Sequence, residues 1–510
     1  MQNSHQTKQN QWIRYLLLLI GAVFFILPRV NTELDLIYIL SPWIYLTCFI
    51  YFTRTMARKL DWLVFSLVLL TAHELRYESF LGDYEISFLW ISIALNAVLT
   101  GFNLIPYLLD RYYLRKGKDY LSWIVFPAMR IMIEEFIIGH QFNLSLTQYG
   151  NKWLIQSVSI AGDIFVSFFV AFVPSLIVWI ILNRDRKTAR MAGVIALGAC
   201  ALVFVVGGIR YETSSPPDNG ILMAYASGPA KTYYENPAEE DPDYAENAAY
   251  LEKTVAEAAS GGAKLMAYAE EAFEVEGEEE ANLIALAQEK AKENGIFVLL
   301  SLDVMTDDDR WENKIVFIDD QGAYLSDYRK SYLIPVIEDQ EYTAGDGVIP
   351  ADLVVIDGQE RMVSYSICYD ATFSEYLMQM NHKTDTFINP SWDWEEVVDL
   401  NYRMQGISAI QSGVVLFKPT VDGWSVVADP YGRILYKENT LRQDYNQIYY
   451  ASVPSQRVKT FYPLVHKVVR AFWTFMALLI LIVTAYLMIR QFAGWIQKKR
   501  RPVLRRDEDL

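Results

Sequence analysis

The chain has 510 residues, of which 52% are hydrophobic and 14% aromatic, and its formal net charge is -16. This apolar share exceeds that of an ordinary soluble domain, so segments that cross a membrane are expected. The acidic balance argues against a nucleic-acid partner, because such partners are bound by basic surfaces.

Eight apolar runs have about the length needed to cross a bilayer, roughly 20 residues. The first lacks a small-residue cleavage site, so we interpret it as a retained span and not as a signal peptide. The third is short and ends in His73 and Glu74, so a re-entrant or interfacial segment is its alternative interpretation. The runs lie near residues 12–28, 34–52, 60–75, 86–109, 119–139, 153–182, 190–209 and 468–494.

Lysine and arginine fall in alternate loops, and short cytoplasmic loops collect these residues. Placing the basic loops inside predicts that both termini are cytoplasmic and that the region between the seventh and eighth spans faces outward. The alternation also supports the third span, because its removal would invert every basic loop downstream. The basic residues are Arg54, Arg58 and Lys59; Arg111, Arg115, Lys116 and Lys118; Arg184, Arg186, Lys187 and Arg190; and those of the tail at 496–510.

The predicted organisation is a transmembrane bundle of seven spans in residues 1–210, an outward-facing domain in 215–455, and an eighth span in 465–495. Strand and helix patterns alternate along the domain, and several strands are apolar throughout, as in sheets covered on both faces. An α/β layered domain is therefore expected. The strand segments are NGILMAYAS, KLMAYAE, IFVLLSLDV, NKIVFID, RMVSYSIC, TDTFINP and GVVLFKPT, and the helical ones are YAENAAYLEKTVAEAASGGA and EEANLIALAQEKAKENG.

Common metal and nucleotide motifs are absent from the sequence. It has five histidines and no HExxH spacing, no CxxC, no GxGxxG and no Walker pattern. We therefore expect neither a metal nor a cofactor.

Cys368 is the one cysteine of the outward-facing domain, because Cys48 and Cys200 lie inside spans. No disulfide within the domain can then form, so a nucleophilic thiol is a hypothesis worth testing. Taken alone, a cysteine that ends a strand is more often a small buried apolar residue. A nucleophile would need a base and an oxyanion donor beside it.

Two other stretches supply residues of those types in a recognisable order. KLMAYAE places Glu270 at the end of an apolar strand, and Tyr328, Lys330, Leu333, Pro335 and Glu338 follow in the pattern Tyr-x-Lys-x-x-Leu-x-Pro-x-x-Glu. Cys-Tyr-Asp at 368–370 then ends another strand. This ordered set resembles the carbon-nitrogen hydrolase (nitrilase) superfamily, and the resemblance extends to Asn313 and to the INPSWDW stretch around Trp392.

The resemblance implies a four-layer αββα sandwich and a Glu-Lys-Cys triad. Glu270 matches the general base, Lys330 the lysine that stabilises the oxyanion, and Cys368 the nucleophile. Supporting roles are implied for Glu338, Tyr369, Asn313 and Asp370. These roles agree with elementary chemistry, because a desolvated carboxylate can take a thiol proton and a fixed ammonium can stabilise an oxyanion.

The combination of this domain with a bundle resembles the membrane branch of that superfamily, the apolipoprotein N-acyltransferases. FPAMRIMIEEFIIG, with Glu134 matching the family's glutamate, and LIQSVSIAGDIFVSFFV also resemble it. The resemblance implies that Cys368 takes an acyl chain from a phospholipid and passes it to the α-amine of a diacylglyceryl-cysteine lipoprotein. It also implies the bacterial cytoplasmic (inner) membrane, with the catalytic domain on the outer face.

Two other hypotheses remain open at this point. One is a membrane-held amidase or nitrilase that acts on small or peptidoglycan-derived amides. The other is a non-catalytic scaffold, suggested by altered residues beside the motifs, such as Tyr268 and Ala269 before Glu270, and Lys418 where an arginine is common.

Overall fold

The structure is a computed structural model in which the chain forms two compact units. The first contains the described residues within Met1–Thr147, Ile164–Leu202 and Lys467–Leu510, and the second those within Gln148–Asp163 and Val203–His466. The described residues are 2–30, 35–77, 86–117, 121–138, 143–218, 220–229, 243–335, 337–380, 383–394, 397–441 and 447–500. The end of the predicted basic tail, residues 501–510, lies outside them.

Twelve α-helices occur in the described residues, and the first seven precede the strands, as the apolar runs predict. A π-helical turn, Glu134–Ile138, extends α5, and 3-10 turns occupy Leu144–Gln148 and Leu154–Ser157. The helices are α1 (Gln2–Val30), α2 (Asp35–Thr55), α3 (Leu60–Tyr77), α4 (Ile86–Arg115), α5 (Ser122–Ile133), α6 (Val158–Leu182), α7 (Lys187–Glu212), α8 (Tyr244–Ser260), α9 (Glu278–Asn294), α10 (Ser374–Leu377), α11 (Val398–Ser412) and α12 (Tyr462–Arg500).

Six of these helices are long and apolar enough to cross a membrane, within the part of the chain that the structure describes. The third and fifth predicted spans do not meet that standard: α3 carries Asp61, Glu74 and Arg76, and α5 has only 12 residues. The predicted count of eight spans is therefore approximate, although a multi-pass membrane protein is indicated. The six segments are Gln11–Pro28, Asp35–Thr55, Ile93–Arg115, Leu154–Leu182, Lys187–Glu212 and Tyr462–Ile496.

Two hydrogen-bonded ion pairs lie inside the first unit. Arg54, at the end of α2, donates to both carboxylate oxygens of Asp110 on α4, at 2.8 and 3.1 Å. Arg130 on α5 donates to Glu134 at 2.6 Å, and Glu134 also accepts the backbone N–H of Leu144. Such pairing is what a low-dielectric bundle requires of ionised groups.

The second unit contains two β-sheets and a short two-stranded ladder in its described residues. The first sheet has the strand order β15-β1-β2-β4-β5-β6, with β3 paired to β4, and the second has β14-β13-β11-β9-β8-β7. β10 pairs with β12. The strands are β1 (Ile221–Ala226), β2 (Leu265–Tyr268), β3 (Phe273–Glu276), β4 (Phe297–Met305), β5 (Trp311–Ile318), β6 (Tyr324–Arg329), β7 (Asp352–Ile356), β8 (Gln359–Tyr365), β9 (Thr386–Ile388), β10 (Ser391–Trp392), β11 (Val415–Lys418), β12 (Thr420–Val421), β13 (Trp424–Ala428), β14 (Ile434–Asn439) and β15 (Tyr449–Val453).

The two sheets pack face to face, with helices on their outer faces. Tyr225 of β1 contacts Phe417 of β11, and Phe317 of β5 contacts Tyr365 of β8. Apolar residues of α8 and α9 share a buried core with the first sheet, and α11 packs on β11 and β13 of the second. This αββα layering confirms the predicted fold class and explains why so many strands are apolar on both faces.

Local signals set the boundaries of the outer helices. Asp243 caps α8 by accepting the N–H of Glu246 at 2.9 Å, and the Glu246 side chain accepts the N–H of Asp243 in return. α9 ends at Gly295, whose φ of 60° lies in the left-handed region that glycine enters without a steric cost. The predicted end of this helix is confirmed.

Residues 148–163, which precede most of α6, belong to the second unit. Gln156 donates to the carbonyl of Tyr431 at 2.9 Å, and the N–H of Phe461 donates to the carbonyl of Ser159 at 2.8 Å. Gly162 has a φ of 77° and interrupts the helical geometry there. The segment therefore packs as part of the α/β domain before the chain continues along α6.

Candidate active site

A buried lysine lies between two glutamates beyond the ends of two strands of the first sheet, β2 and β6. Glu270 follows β2, and Lys330 follows β6 directly. The Nζ of Lys330 donates to Oε1 of Glu270 at 2.7 Å and to Oε1 of Glu338 at 2.5 Å. Glu338 is fixed in turn by the backbone N–H of Ile334, which donates to Oε2 at 2.8 Å. The ammonium is therefore held by two carboxylates.

Asn313 on β5 bonds two of the glutamates in this region and the lysine segment. The side-chain Nδ2 of Asn313 donates to Glu270 and to Glu271, both at 2.9 Å. The backbone carbonyl of Asn313 accepts the N–H of Lys330 at 2.9 Å. Glu271 has a φ of 54°, a left-handed conformation that most side chains avoid. This turn of the backbone brings two consecutive carboxylates to one amide.

Cys368 lies just beyond β8 and has a left-handed backbone, with a φ of 39°. Its N–H donates to the carbonyl of Pro390 at 2.8 Å, and its Sγ lies 3.7 Å from the carbonyl oxygen of Trp392, to which the thiol donates. Strained backbone of this kind is concentrated at functional sites because the surrounding structure must hold it. The side chain is buried.

The backbone of Trp392 joins the cysteine to the glutamate. Its N–H donates to Oε2 of Glu270 at 2.8 Å, while its carbonyl accepts the thiol of Cys368. Glu270 thus receives donors on both oxygens, from Lys330 and Asn313 on one and from Trp392 on the other. One residue of the stretch INPSWDW therefore touches both groups that the resemblance assigns to proton transfer.

Asp370 ties the cysteine turn to the lysine segment. It accepts the N–H groups of Ser331 and Tyr332 at 3.1 and 2.7 Å and the hydroxyl of Tyr328 at 2.7 Å. Burial raises the pKa of Asp370 to about 7, although these hydrogen bonds oppose the rise. Tyr369 packs its ring against Phe373, with 5.0 Å between centroids.

The electrostatics keep the thiol protonated at rest. Burial raises the pKa of Cys368 well above its ordinary value, the charge of Glu270 raises it further, and Lys330 opposes both. Burial would lower the pKa of Lys330, but Glu270 and Glu338 outweigh that and raise it, so the ammonium stays charged. A thiol of this kind requires a base before it can attack.

Burial also raises the pKa of Glu338, with Lys330 opposing the rise and Glu270 adding to it. Glu270, Glu271 and Glu338 offer oxygens that all lie within 4.8 Å of one another, a grouping that could hold a metal ion. The Lys330 ammonium already bonds two of the three. The positive charge of Lys330 thus already neutralises part of the negative charge of these carboxylates.

All seven residues singled out in the sequence lie in this region of the second unit. Three contributors were not among them: Glu271, the peptide of Trp392, and a buried ion pair between Asp393 and Lys418 at 2.7 Å. Glu271 follows Glu270 in an acidic stretch that is typical of a solvated face. For Trp392 and Asp393, the useful signal was the position of INPSWDW after a buried strand. Lys418 had been noted in the sequence only as a replacement of a common arginine.

Residues 236–462 match the carbon-nitrogen hydrolase family. This match confirms the resemblance to that family seen in the sequence. Relatives of this chain include the membrane branch predicted from the sequence: the apolipoprotein N-acyltransferase of Rickettsia bellii is 27% identical over 153 residues, and that of Rickettsia prowazekii 27% over 150. The matched region covers 26% of this chain and only 29% of either relative.

Amidases are also similar to this chain. The deaminated glutathione amidase of Dictyostelium discoideum is 25% identical over 207 residues, which cover 36% of this chain and 69% of the amidase. Among solved structures, an amidase from Nesterenkonia sp. aligns with 18% identity and a TM-score of 0.40, covering 49% of this chain and 95% of the amidase.

Proposed function

We propose that this protein is an acyltransferase that moves a fatty acyl chain from a phospholipid, through a thioester on Cys368, to the N-terminal amine of a diacylglyceryl-cysteine lipoprotein. The catalytic domain then faces outward from a bacterial cytoplasmic membrane, with both termini in the cytoplasm. The catalytic residues are Glu270, Lys330 and Cys368, with Glu338, Asn313, Tyr369 and Asp370 in support.

The observation that carries this proposal is a buried thiol whose charged neighbours include a lysine and a glutamate that are bonded to each other. Glu270 and Lys330 lie 2.7 Å apart, and both act electrostatically on Cys368. The described residues also include six helices long and apolar enough to cross a membrane, whereas a single one suffices to anchor a hydrolase. Together these features favour a lipid substrate.

In the first half-reaction, Glu270 takes the proton from the Cys368 thiol, and the thiolate attacks the ester carbonyl of the phospholipid. Lys330 and the backbone N–H of Tyr369 stabilise the negative oxygen of the tetrahedral intermediate. The ester C–O bond then breaks, and Glu270 returns its proton to the departing alcohol. The products are a thioester on Cys368 and a lysophospholipid.

In the second half-reaction, the α-amine of the acceptor attacks the thioester carbonyl. Glu270 takes a proton from the amine, the C–S bond breaks, and the proton passes to the sulfur of Cys368. An amide has formed and the thiol is regenerated, so no other reactant is required. Water must be kept from the thioester between the two steps, since hydrolysis would make the enzyme a lipase.

The test is intact-mass spectrometry of the detergent-purified full chain after incubation with phospholipid. We expect wild type to gain one acyl group that hydroxylamine removes, and Cys368→Ser and Glu270→Gln to gain none within the same time. Cys200→Ser is the matched control, because this buried cysteine lies on α7 outside the site, and its adduct should equal that of wild type. A wild-type protein that is never acylated would refute the proposal.

A second candidate is a membrane-held amidase, favoured by the similarity that covers 69% of the Dictyostelium amidase. The same residues would then attack an amide, and water would release the acyl group. Turnover of water-soluble amides by lipid-free protein would indicate this activity. A non-catalytic scaffold would instead give neither adduct nor turnover, and Glu270→Gln would change nothing.

A further inference from the structure

A second buried ion pair lies close to Cys368. Lys418, the last residue of β11, bonds Asp393 at 2.7 Å, and both side chains are fully buried. The Nζ of Lys418 also donates to Thr420 at 2.5 Å, and Asn401 on α11 donates to the other oxygen of Asp393 at 2.6 Å. Charges buried this deeply are kept only when the geometry satisfies them, so the position of Asp393 is closely fixed.

The turn between β12 and β13 contacts Trp392 and Asp393. Asp422 has a φ of 53°, and its Oδ2 accepts the indole N–H of Trp392 at 3.3 Å. A Cβ on Gly423 would lie 2.7 Å from the Cβ of Asp393, a distance that real Cβ atoms do not reach. Glycine is therefore required there if Asp393 is to keep its place.

Asp393 shares a peptide group with the carbonyl that receives the thiol. The carbonyl of Trp392 accepts from Cys368, and the N–H of the same peptide belongs to Asp393 and donates to the carbonyl of Val421 at 3.1 Å. One residue earlier, the N–H of Trp392 holds Glu270 at 2.8 Å. A shift of Asp393 would therefore move the acceptor of the thiol and the donor to the base together.

We propose that the Asp393–Lys418 pair is a positioning element that fixes the peptides on either side of Trp392, so that Glu270 and the Cys368 thiol stay aligned for proton transfer. Neither residue touches a reacting atom, so both are positioning residues. The inference rests on the proposed function, because it assigns these residues a part in acylation at Cys368.

The pair also contributes to the field at the thiol. The charged groups acting on Cys368 are Glu270, Lys330, Asp393 and Lys418. After burial and Glu270, which raise the pKa of the thiol, Asp393 raises it as well, whereas Lys418 and Lys330 lower it. Removal of Asp393 and removal of Lys418 should therefore shift the thiol titration in opposite directions, which a general loss of stability would not do.

The experiment uses Lys418→Met and Asp393→Asn in the full chain in detergent. The rate of iodoacetamide alkylation is read on the Cys368 peptide across a pH series, and acylation is read in a single turnover with mixed micelles of phosphatidylethanolamine and phosphatidylglycerol. We expect the alkylation midpoint to rise for Lys418→Met and fall for Asp393→Asn. Acylation should fall about 100-fold in both, the effect of a displacement of about 1 Å.

Matched variants separate position from charge. Lys314→Met breaks an ion pair of equal length with Glu280 elsewhere in the domain and should change neither rate. Lys418→Arg keeps a cation that can donate to Asp393 and should restore acylation to within about tenfold of wild type. Gly423→Ala keeps both charges but displaces Asp393, so acylation should fall while the alkylation midpoint stays in place.

Acylation at the wild-type rate in Lys418→Met or Asp393→Asn would overturn the inference, as would midpoints that move in the same direction. If those variants are not recovered folded, Gly423→Ala alone is the test. Acylation of Gly423→Ala at the wild-type rate would then overturn the inference. Failure of the proposed function is distinguishable: wild type itself would then remain unacylated, whereas the opposite alkylation shifts would still be measured.

Discussion

The bundle and the α/β domain each bury a cation with its anion, but the two groups are balanced differently. Arg54 and Asp110 form a one-to-one pair, and the remaining donors of the guanidinium go to the carbonyls of Ser122 and Ser175. Lys330 instead serves two carboxylates beside a third, with a protonated thiol nearby. Burial of charge is common to both, so it does not by itself mark a catalytic site.

The difference lies in what remains for a substrate. The bundle pair is fully hydrogen-bonded, and it stabilises the packing of α2 against α4, α5 and α6. In the domain, the charged groups act on a buried thiol, whose pKa Glu270 raises and Lys330 lowers. An excess of ionisable groups around one nucleophile indicates chemistry, whereas a closed pair indicates architecture.

The largest difference between the two regions is expected when the buried cation of each, Lys330 or Arg54, is replaced. Lys330→Met should lower the rate of Cys368 acylation by about 10²–10³-fold, because a donor to the oxyanion is lost. Single-turnover acylation, measured by intact mass, tests this. Retention of the wild-type rate would mean that Lys330 only neutralises its carboxylates.

Arg54→Met should instead act on stability alone. It leaves Asp110 buried without its partner, which costs about 3–5 kcal/mol, so the thermal midpoint in detergent should fall. Protein that remains folded should be acylated at the wild-type rate. A specific loss of acylation without a loss of stability would break the comparison and assign a catalytic role to the bundle pair.

Glu270→Gln should separate catalysis from thiol reactivity. The variant loses the base and about 10²–10⁴-fold in acylation. It also loses a negative charge that raises the pKa of Cys368, so alkylation by iodoacetamide should begin at lower pH than in wild type. Both rates falling together at every pH would contradict the electrostatic role given to Glu270.

The smallest expected effect concerns the pH dependence of stability. The folded-state pKa of Asp370 is about 7, above the ~3.9 of an exposed aspartate. This carboxyl therefore contributes stability that is complete below about pH 4 and is lost as the pH rises through about 7. Asp370→Asn should flatten the change of Tm with pH across that window, by about 1.4 kcal/mol for each pKa unit removed.

The control for this measurement is Asp346→Asn, which makes the same substitution at an exposed position of the same domain. An unaltered slope in Asp370→Asn would show that other groups govern stability in that range.

The sequence predicted much of this protein from short-range patterns. The length of the apolar runs indicated the membrane helices. Two of the predicted spans do not meet a standard of length and charge, α3 because of its charged residues and α5 because it has only 12 residues. Strand and helix periodicity predicted the α/β domain, down to the end of α9 at Gly295. The order of Glu270, Lys330, Glu338 and Cys368 pointed to one site.

What only the tertiary structure decided is which groups meet across sequence distances of 40 to 120 residues, as between Glu270 and Asn313 or Trp392. Hydrogen bonds of this kind depend on strand register and on local backbone turns, such as the left-handed φ at Glu271 and Cys368, which no periodicity encodes. The same holds for the bond between Asp393 and Lys418, which lie 25 residues apart in the chain. The residue types determined the available chemistry. The packing of the two sheets determined which charged groups are desolvated and therefore require a partner of opposite charge.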